Sequence, residues 1–429
     1  MSSQQPQRPR HPRSAGSAGS DAAIAPLYDP AFEHDACGIG FVADAGGRRL
    51  GEVLPLALDG LAALAHRGAF GADGASSDGA GVSLPLDPTV MDALAPGTRL
   101  ADARPAILQL FLPRAATGSR NLAAARSLIN VTFAAAGFEI VRWRSVPTDP
   151  SALGAAARAS RPAFVQAFVR RPLDAGGAPL TDAAFERRLV VARRRLESAA
   201  AAAGFGDTIA IPSASCRTIV YKGLVAGARL RDLYPDLRST AIRVRYALFH
   251  QRYATNTQPT WRLAQPFRAI AHNGEINTVR GNRSQVRGRA ADPAGTVAAE
   301  LAAAGPLVSE TGSDSQSLDE LLELLVATGW DLGTALLTAM PEALALRRAP
   351  HPQVAALRRR TAGFLAPWDG PAAIVFGDGK RVGAIADRNG LRPTAFAVTR
   401  DRLVAVCSEA GAIPLSPSET VRRGRLGPG

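Results

Sequence analysis

Hydrophobic positions along the first part of the chain fall into short apolar runs and helical stripes. Val53, Leu54, Leu58, Leu61 and Leu64 recur at helical spacing, which predicts a helix over residues 52–66. A second helical stretch is predicted at 183–203. The apolar runs predict strands at 37–43, 106–112, 138–143, 163–169, 217–225 and 242–249.

The later part of the chain predicts two helices followed by a series of short strands. The helices are expected at 315–327 and 332–346, and the strands at 371–376, 381–386, 394–399 and 403–408. This mixture fits an α/β or α+β domain with mainly antiparallel hairpins at its C-terminal end. Residues 1–20 are polar and rich in Pro, Ser and Gly, so we expect them to be flexible. No Pro/Gly linker divides the chain after residue 37.

Composition narrows the functional classes. A chain of 429 residues with 46% hydrophobic content can bury a substantial core. The net charge of +13 comes almost entirely from scattered arginines, with Lys222 and Lys380 as the only lysines, and this pattern argues against nucleic-acid binding. No apolar stretch is long enough to cross a membrane and no secretory signal is present, so a soluble cytoplasmic protein is expected.

The three cysteines are far apart and form no CxxC pair, which argues against both a disulfide framework and a zinc site. Cys216 and Cys407 lie inside strand-like runs and are interpreted as packing residues. Cys37 differs, because it stands between an acidic approach and a glycine-interrupted apolar run in AFEHDACGIGF (31–41).

Two polar segments are candidates for chemistry. The glycine-rich loop 68–81 lacks the GK[ST] ending of a phosphate-binding loop, and Asp73 and Asp78 have no metal-ligand spacing, so a tight, mobile turn is expected. The segment 249–282 concentrates side chains that bind amides and carboxylates. They are Arg252, Thr255, Asn256, Asn273, Gly274, Glu275, Asn277 and Arg280.

Two interpretations of the second segment stand at this point. Asn273-Gly274 is a common signal for a hairpin turn between strands. Alternatively, the backbone N–H of Gly274 can approach a ligand, because no side chain stands in the way.

Several sequence blocks together carry a family resemblance. They are EHDACGIGFVA (33–43), LAHRGAFGAD (64–73), SDGAGV (77–82), RTIVYKG (217–223), YATNTQPTW (253–261), AQPFRAIAHNGEINTVRGN (264–282), SDSQSLDELLELL (313–325), PWDGPAA (367–373) and DRNGLRP (387–393). The chain resembles the class II glutamine amidotransferase domain at the amino-terminal end of glutamate synthase large (alpha) subunits, from about Tyr28 to Gly429. The resemblance implies an α+β N-terminal nucleophile hydrolase fold with four αββα layers and two stacked, mainly antiparallel sheets. It also implies a leader over 1–36 and a glutaminase domain over 37–429.

The same resemblance implies catalytic roles. Removal of the leader would make Cys37 the first residue, with its thiol as nucleophile and its α-amine as the base. A thiol near pKa ~8.5 needs such a base at neutral pH, and an amine near pKa ~8 is matched to it. Asn273, through its side-chain amide, and Gly274, through its backbone N–H, match the oxyanion hole.

Substrate-binding roles are implied for five further residues. Arg252 matches the group that binds the glutamine α-carboxylate, Thr255 assists it, and Asp314 matches the group that binds the α-ammonium. Arg67 and Gly68 match a loop over the site. His250 and His272 border the site and are expected to satisfy hydrogen bonds.

The implied reaction is hydrolysis of L-glutamine to glutamate and ammonia through a Cys37 thioester. In the intact family member, a synthase region bearing FMN and an iron–sulfur cluster uses the ammonia to aminate 2-oxoglutarate, with a small subunit or ferredoxin as a further partner. No cofactor or metal is expected in this chain, and no nucleic-acid or membrane partner. Alternatives are a stand-alone glutaminase subunit that feeds a different synthase, a catalytically silent glutamine-binding regulatory module, and a hydrolase for another amide. The sequence leaves the electron donor open between NADPH, NADH and ferredoxin.

Overall fold

Antiparallel sheets dominate the architecture. The computed structural model describes residues 37–71, 73–98, 103–114, 121–206, 208–252, 258–290, 295–343 and 352–428. The predicted leader, Thr255 and Asn256 lie outside these residues. The described strands are β1 (Gly38–Asp44), β2 (Ala80–Pro85), β3 (Ala106–Leu112), β4 (Ile140–Ser145), β5 (Ala163–Val169), β6 (Ala210–Ser215), β7 (Thr218–Gly223), β8 (Tyr246–Gln251), β9 (Ile270–Gly274), β10 (Ala372–Gly377), β11 (Val382–Ala386), β12 (Ala395–Thr399), β13 (Leu403–Cys407) and β14 (Thr420–Arg425).

Helices connect and cover these strands. They are α1 (Leu50–Ala63), α2 (Pro88–Leu94), α3 (Leu122–Ala135), α4 (Ala155–Ser160), α5 (Asp182–Ala202), α6 (Leu230–Leu233), α7 (Val279–Ala290), α8 (Thr296–Ala303), α9 (Asp314–Ala327), α10 (Leu332–Ala339) and α11 (Pro352–Thr361). Short 3₁₀ turns lie at Ala65–Arg67, Pro150–Ala152, Gly227–Arg229 and Pro235–Arg238.

The described strands form three sheets. A seven-stranded sheet has the order β14-β12-β13-β1-β8-β2-β7, a three-stranded sheet the order β11-β10-β9, and a four-stranded sheet the order β4-β5-β3-β6. Every pairing is antiparallel. β1 is therefore the middle strand of the largest sheet, with paired neighbours on both sides.

Side-chain alternation along β1 and β8 stacks the seven-stranded sheet on the three-stranded one. Ile39 and Leu248 pack from one sheet against Ala271 and Val375 from the other. The opposite face of the large sheet buries Val42, Ala247 and Phe249 against Leu54, Leu58 and Leu61 of α1. Because successive side chains of a strand point to opposite faces, one strand serves both layers.

The outer face of the three-stranded sheet is covered by α9 and α10. Ile270 and Ile374 pack there against Leu318, Leu322 and Leu336. The order of layers is thus helix, sheet, sheet, helix, and the predicted α+β architecture is confirmed. The four-stranded sheet has its own apolar cluster with α3 and α5, which includes Leu108, Val165 and Leu189.

Most predicted elements coincide with observed ones, and two boundaries differ by more than three residues. The strands predicted at 106–112 and 163–169 match β3 and β5, and the helix predicted at 183–203 matches α5. The helix predicted at 332–346 ends at Ala339, because Pro341 disfavours helical geometry at Met340 and has no N–H to continue the ladder. The strand predicted at 242–249 begins later, at Tyr246.

Candidate active site

Cys37 stands at the entrance of the middle strand of the seven-stranded sheet. The antiparallel register pairs Gly38 with Gln251 and Ile39 with His250. One step further along the same ladder, Cys37 lies across from Arg252. The backbone N–H of Arg252 donates to the carbonyl of Gly79, just before β2, at 2.8 Å. Two candidate residues that are far apart in sequence are therefore neighbours at one end of the sheet.

Glycine at position 38 allows the end of helix α1 to approach this point. A Cβ atom at Gly38 would lie 2.7 Å from Leu64 Cδ1, closer than side chains pack. Since Gly38 faces the α1 side, alternation carries Cys37 to the opposite face, towards the three-stranded sheet. The glycine that interrupts the apolar run after Cys37 thus has a packing reason.

A hydrogen bond joins the two sheets beside Cys37. His250 Nε2 donates to the backbone carbonyl of His272 at 2.9 Å, and both residues are buried. His250 stands two residues before Arg252, and His272 one residue before Asn273. This bond brings the end of β9, where Asn273 and Gly274 lie, next to the end of β8.

Gly274 has a backbone that only glycine fits. Its φ is +120°, and an added Cβ atom would lie 1.9 Å from the carbonyl oxygen of Pro371. Gly274 and Asn273 pair with Ala372 and Ala373 of β10. The hairpin interpretation of Asn273-Gly274 is therefore wrong, because Gly274 is the last residue of a paired strand that leads into α7.

Asp314 begins helix α9 directly beside this strand end. Its Oδ2 atom accepts a 2.8 Å hydrogen bond from the backbone N–H of Ile276, two residues after Gly274. The helix start is fixed by Ser313, whose hydroxyl accepts from the Gln316 N–H at 3.1 Å. The carboxylate thus joins the start of α9 to the loop that follows β9.

Electrostatics connect these residues into one site. Arg252 is 5% exposed. Burial lowers the pKa of its guanidinium, while the negative charge of Cys37 as thiolate, of Asp78 and of Asp314 acts in the opposite direction. A buried arginine beside a thiol and two carboxylates suits recognition of a ligand that carries both a carboxylate and an ammonium.

Arg67 and Gly68 reach the same end of the sheet. A Cβ atom at Gly68 would lie 2.3 Å from Gln251 Nε2, so this glycine lies against the residue that precedes Arg252. Arg67 forms an ion pair with Glu409, which follows β13, the other neighbour of β1. The structure therefore brings together all the predicted site residues that it describes, Cys37, Arg67, Gly68, Arg252, Asn273, Gly274 and Asp314.

Comparison with known proteins identifies the family. Residues 37–429 match the family of class II glutamine amidotransferases. The chain belongs to that family. It is an enzyme of the glutamine amidotransferase type, with the N-terminal nucleophile hydrolase fold that its layers indicate.

Two curated relatives of this amidotransferase are glutamate synthases. The glutamate synthase (NADPH) large chain of Azospirillum brasilense is 37% identical over 411 residues, covering 94% of this chain and 26% of that protein. Ferredoxin-dependent glutamate synthase 2 of Synechocystis is 37% identical over 409 residues, covering 92% and 25%. The amidotransferase thus spans about a quarter of the length of these relatives.

A solved structure titled as the allosteric regulatory enzyme of purine biosynthesis is also similar. It has a TM-score of 0.37 and 13% identity, covering 92% of this chain and 45% of that one.

No helix among the described residues of the amidotransferase is both long and apolar enough to span a membrane. Those residues also contain no group of three or more His, Cys, Asp or Glu side chains suited to holding a metal ion.

His250 of the amidotransferase site satisfies a hydrogen bond, as predicted, whereas the buried Nε2 atom of His272 has no hydrogen-bond partner among the described residues. Burial lowers the pKa of His250 to about 3, so its ring is neutral and donates through Nε2. Burial also lowers the pKa of His272. The predicted packing roles of Cys216 and Cys407 are confirmed as well, because both are buried and burial raises the pKa of each thiol, for Cys407 to about 11.

Several supporting residues of the amidotransferase escaped the sequence analysis. Gln251 Oε1 accepts from the Gly227 N–H at 2.7 Å, and Gln265 Oε1 accepts from the His272 N–H at 2.9 Å. Asp387 accepts from the Ala372 N–H at 3.1 Å, at the start of β10. Two of the sequence blocks carried a signal, since DRNGLRP contains Asp387 and AQPFRAIAHNGEINTVRGN contains Gln265. Gln251 had none, because its partner Gly227 lies 24 residues away.

Proposed function

We propose that this chain hydrolyses L-glutamine to L-glutamate and ammonia, with Cys37 as the nucleophile. The observation that carries the proposal is the position of Cys37 at the end of the central strand. It lies across from Arg252 and on the face towards Asn273 and Gly274. An amino-acid head group would be bound by Arg252 and Asp314, and Thr255 is proposed to assist.

The reaction would proceed in two stages. The Cys37 sulfur attacks the δ-amide carbon, and the oxyanion that forms accepts hydrogen bonds from the Asn273 side-chain amide and the Gly274 backbone N–H. Collapse of this intermediate releases ammonia and leaves a glutamyl thioester on Cys37. Water then attacks the thioester, releasing glutamate and restoring the thiol. Arg67 and Gly68 would lie over the bound substrate.

The proposed base is the α-amine of Cys37, which requires removal of residues 1–36. A free amine on the nucleophile's own residue can take the thiol proton and return it to the departing ammonia. The neutral, buried rings of His250 and His272 support this choice, since His250 is committed as a donor to a carbonyl. The family match, which begins at Cys37, also supports it.

For the intact protein we infer a glutamate synthase, because the curated relatives are four times as long and carry that name. A cytoplasmic location is part of the same proposal. Its synthase region would accept the ammonia, with a small subunit or ferredoxin as electron donor. FMN and an iron–sulfur cluster would belong to that region.

Replacement of the nucleophile tests the proposal. Cys37→Ala should abolish ammonium release from glutamine, because the thioester cannot form. The matched control is Cys407→Ala, which removes a buried thiol from the neighbouring strand and should keep glutaminase activity. Turnover by Cys37→Ala at the wild-type rate would contradict the proposal.

Mass spectrometry of the active wild-type protein gives an independent check on the base. The mass should correspond to a chain that begins at Cys37. An active preparation that retains residues 1–36 would refute the role of the α-amine.

A further inference from the structure

A cavity lies on the far side of β2 from the candidate active site. It has a volume of about 420 Å³ and lies between α5, β6, β7 and the segments 262–268 and 305–320. Lys222, Arg194, Arg262 and Arg268 contribute positive charge to its wall. The volume is within the range of roughly 300–1,000 Å³ that small-molecule sites occupy.

The acidic side chains of this cavity already have partners. Glu197 pairs with Arg193 at 2.6 Å, Glu310 pairs with Arg287 at 2.7 Å, and Glu320 accepts from the Ser309 N–H at 2.6 Å. Arg268, among the cations, is paired with Glu323 at 3.1 Å. Glu197, Glu310 and Arg268 are therefore paired within the protein, while Glu320 is held by hydrogen bonds from Ser309 and Gln316.

Three cations of the wall have no carboxylate in direct contact, and the negative charges that act on Arg194, with that of Glu323 first among them, lie farther away. Lys222 is 3% exposed, and its ammonium donates to one backbone carbonyl, that of Arg262, at 3.0 Å. Arg194 is 4% exposed and donates to backbone carbonyls, among them that of Gly305 at 3.1 Å. Within the described part of the chain, no carboxylate lies within 4.0 Å of Lys222, Arg194 or Arg262. A buried charge without a counter-ion is costly, and an anion in the cavity would supply one.

The neighbouring charges agree with this picture. Burial lowers the pKa of Lys222 to about 7, and the positive charge of Arg268 acts in the same direction, while the negative charge of Asp319 opposes it. The charges of Arg252 and Arg262 lower the pKa further. The side chain also lies over the ring of Phe267, 5.1 Å from its centroid. An anion bound beside Lys222 would restore the ammonium form at neutral pH.

We propose that this cavity binds a small anion bearing a carboxylate or phosphate group, held by Lys222 and Arg194. The site is separate from that of Cys37 but level with it in the sheet, because the ladder joins Lys222 to Gly81 and Gly81 to His250. Two strand spacings separate Lys222 from His250, about 10 Å. The occupant is therefore close enough to influence Arg252 without entering the glutamine site.

Binding of two simple anions to the full chain tests this inference. Inorganic phosphate and succinate are titrated separately by calorimetry at low ionic strength, and the preferred probe shows whether the site takes phosphate or carboxylate groups. Lys222→Met should weaken binding by roughly ten- to a hundredfold, the effect of losing one charge-assisted hydrogen bond. Lys380→Met is the matched control, since Lys380 is the other lysine of the chain and its side chain is 67% exposed.

Two further variants keep the test decisive. Arg194→Met should weaken anion binding by a similar factor. It replaces Lys222→Met as the test variant if Lys222→Met does not fold. Arg252→Met should leave binding within about threefold of wild type, because that arginine belongs to the other site. Absence of binding to wild type, or binding by Lys222→Met and Arg194→Met as tight as that of wild type, would overturn the inference. Loss of binding in Arg252→Met alone would assign the anion to the glutamine site and would also overturn it.

Discussion

At the scale of single residues, Gly274 is the described glycine at which an added Cβ atom would meet another atom at the shortest distance. It combines a positive φ with a position only 1.9 Å from the Pro371 carbonyl oxygen for that added Cβ. The same residue is proposed to donate its N–H to the oxyanion. Both the packing against Pro371 and the proposed N–H donation therefore require a glycine at position 274.

Gly274→Ala should consequently lower both the glutaminase activity and the stability of the protein. We expect a loss of glutaminase activity of roughly a hundredfold or more, because the N–H donor is displaced, and a lower free energy of unfolding. Gly411→Ala is the control, since Gly411 also has a positive φ of +87° but no atom within 4 Å of an added Cβ. The control should cost only about 1–3 kcal/mol of stability and keep its activity. Equal effects of the two substitutions would contradict the packing argument.

His250 makes the stability depend on pH. Its pKa is about 3 in the folded chain and near 6.5 when unfolded. Between these values the unfolded state binds more protons, so the contribution is complete above pH 6.5 and is lost as pH falls towards 3. The free energy of unfolding should therefore fall by about 1.4 kcal/mol per pH unit for this one group.

His250→Gln keeps a side-chain N–H donor but cannot be protonated in this range. Urea unfolding between pH 4 and 6 should show a shallower pH slope for this variant than for wild type. The same comparison at pH 7.5 is the control, because both side chains are neutral there. Identical slopes at acidic pH would exclude His250 as the responsible group.

At individual residues, the family resemblance supplied roles that the positions alone do not test. The structure places Cys37, Asn273 and Asp314 at one site, and their roles stay predictions. Gln251 and Gln265 could not be predicted, because each supports the site through a fold-dependent contact with a backbone N–H. A glutamine in a sequence does not indicate where its hydrogen-bond partners will lie.

At the scale of elements, strand β10 sets the position of Gly274, and Asp387 holds the start of β10. The Asp387 carboxylate accepts from the N–H groups of Ala372, Asn389, Leu391 and Arg392, at 3.1, 2.9, 2.9 and 3.2 Å. It is 1% exposed. One buried side chain therefore ties the turn after β11 to the strand that pairs with β9.

Asp387→Asn should weaken this connection, because one acceptor oxygen becomes an NH₂ group that faces N–H donors. We expect a loss of about 1–3 kcal/mol in the free energy of unfolding and a lower kcat for glutamine hydrolysis. Asp378→Asn is the matched control at the other end of the same hairpin, where the carboxylate accepts from the Lys380 and Arg381 N–H groups. It should leave kcat unchanged. A normal kcat for Asp387→Asn would show that β10 does not depend on this carboxylate.

The elements that sequence patterns missed have identifiable reasons. Helix α7 buries only Asn282 and Val286, so it has no apolar stripe to recognise. Strand β6 contains Pro212 and two serines, and strand β14 is an exposed edge with three arginines. Strong periodicity predicted α5 and β5 correctly, whereas polar elements depend on partners that only the fold supplies.

At the scale of the whole molecule, the chain covers about a quarter of its curated relatives. If it performs only the glutamine half of a longer reaction, the ammonia is released and not transferred to 2-oxoglutarate. Processed chain supplied with glutamine and 2-oxoglutarate should release glutamate and ammonium in equal amounts. Enzymatic assays of both products would check this ratio, with glutamine alone as the control. Glutamate in clear excess over ammonium would mean that amination also occurs on this chain.

The central place of β1 has a consequence for how the enzyme fails. Sheets fray from their outer strands inwards, and β1 has three strands on either side. If the outer strands of the sheet unfold first, the Cys37 thiol at the start of β1 keeps its position across from Arg252. Thermal inactivation should therefore coincide with cooperative collapse of the entire domain, without an earlier, milder stage.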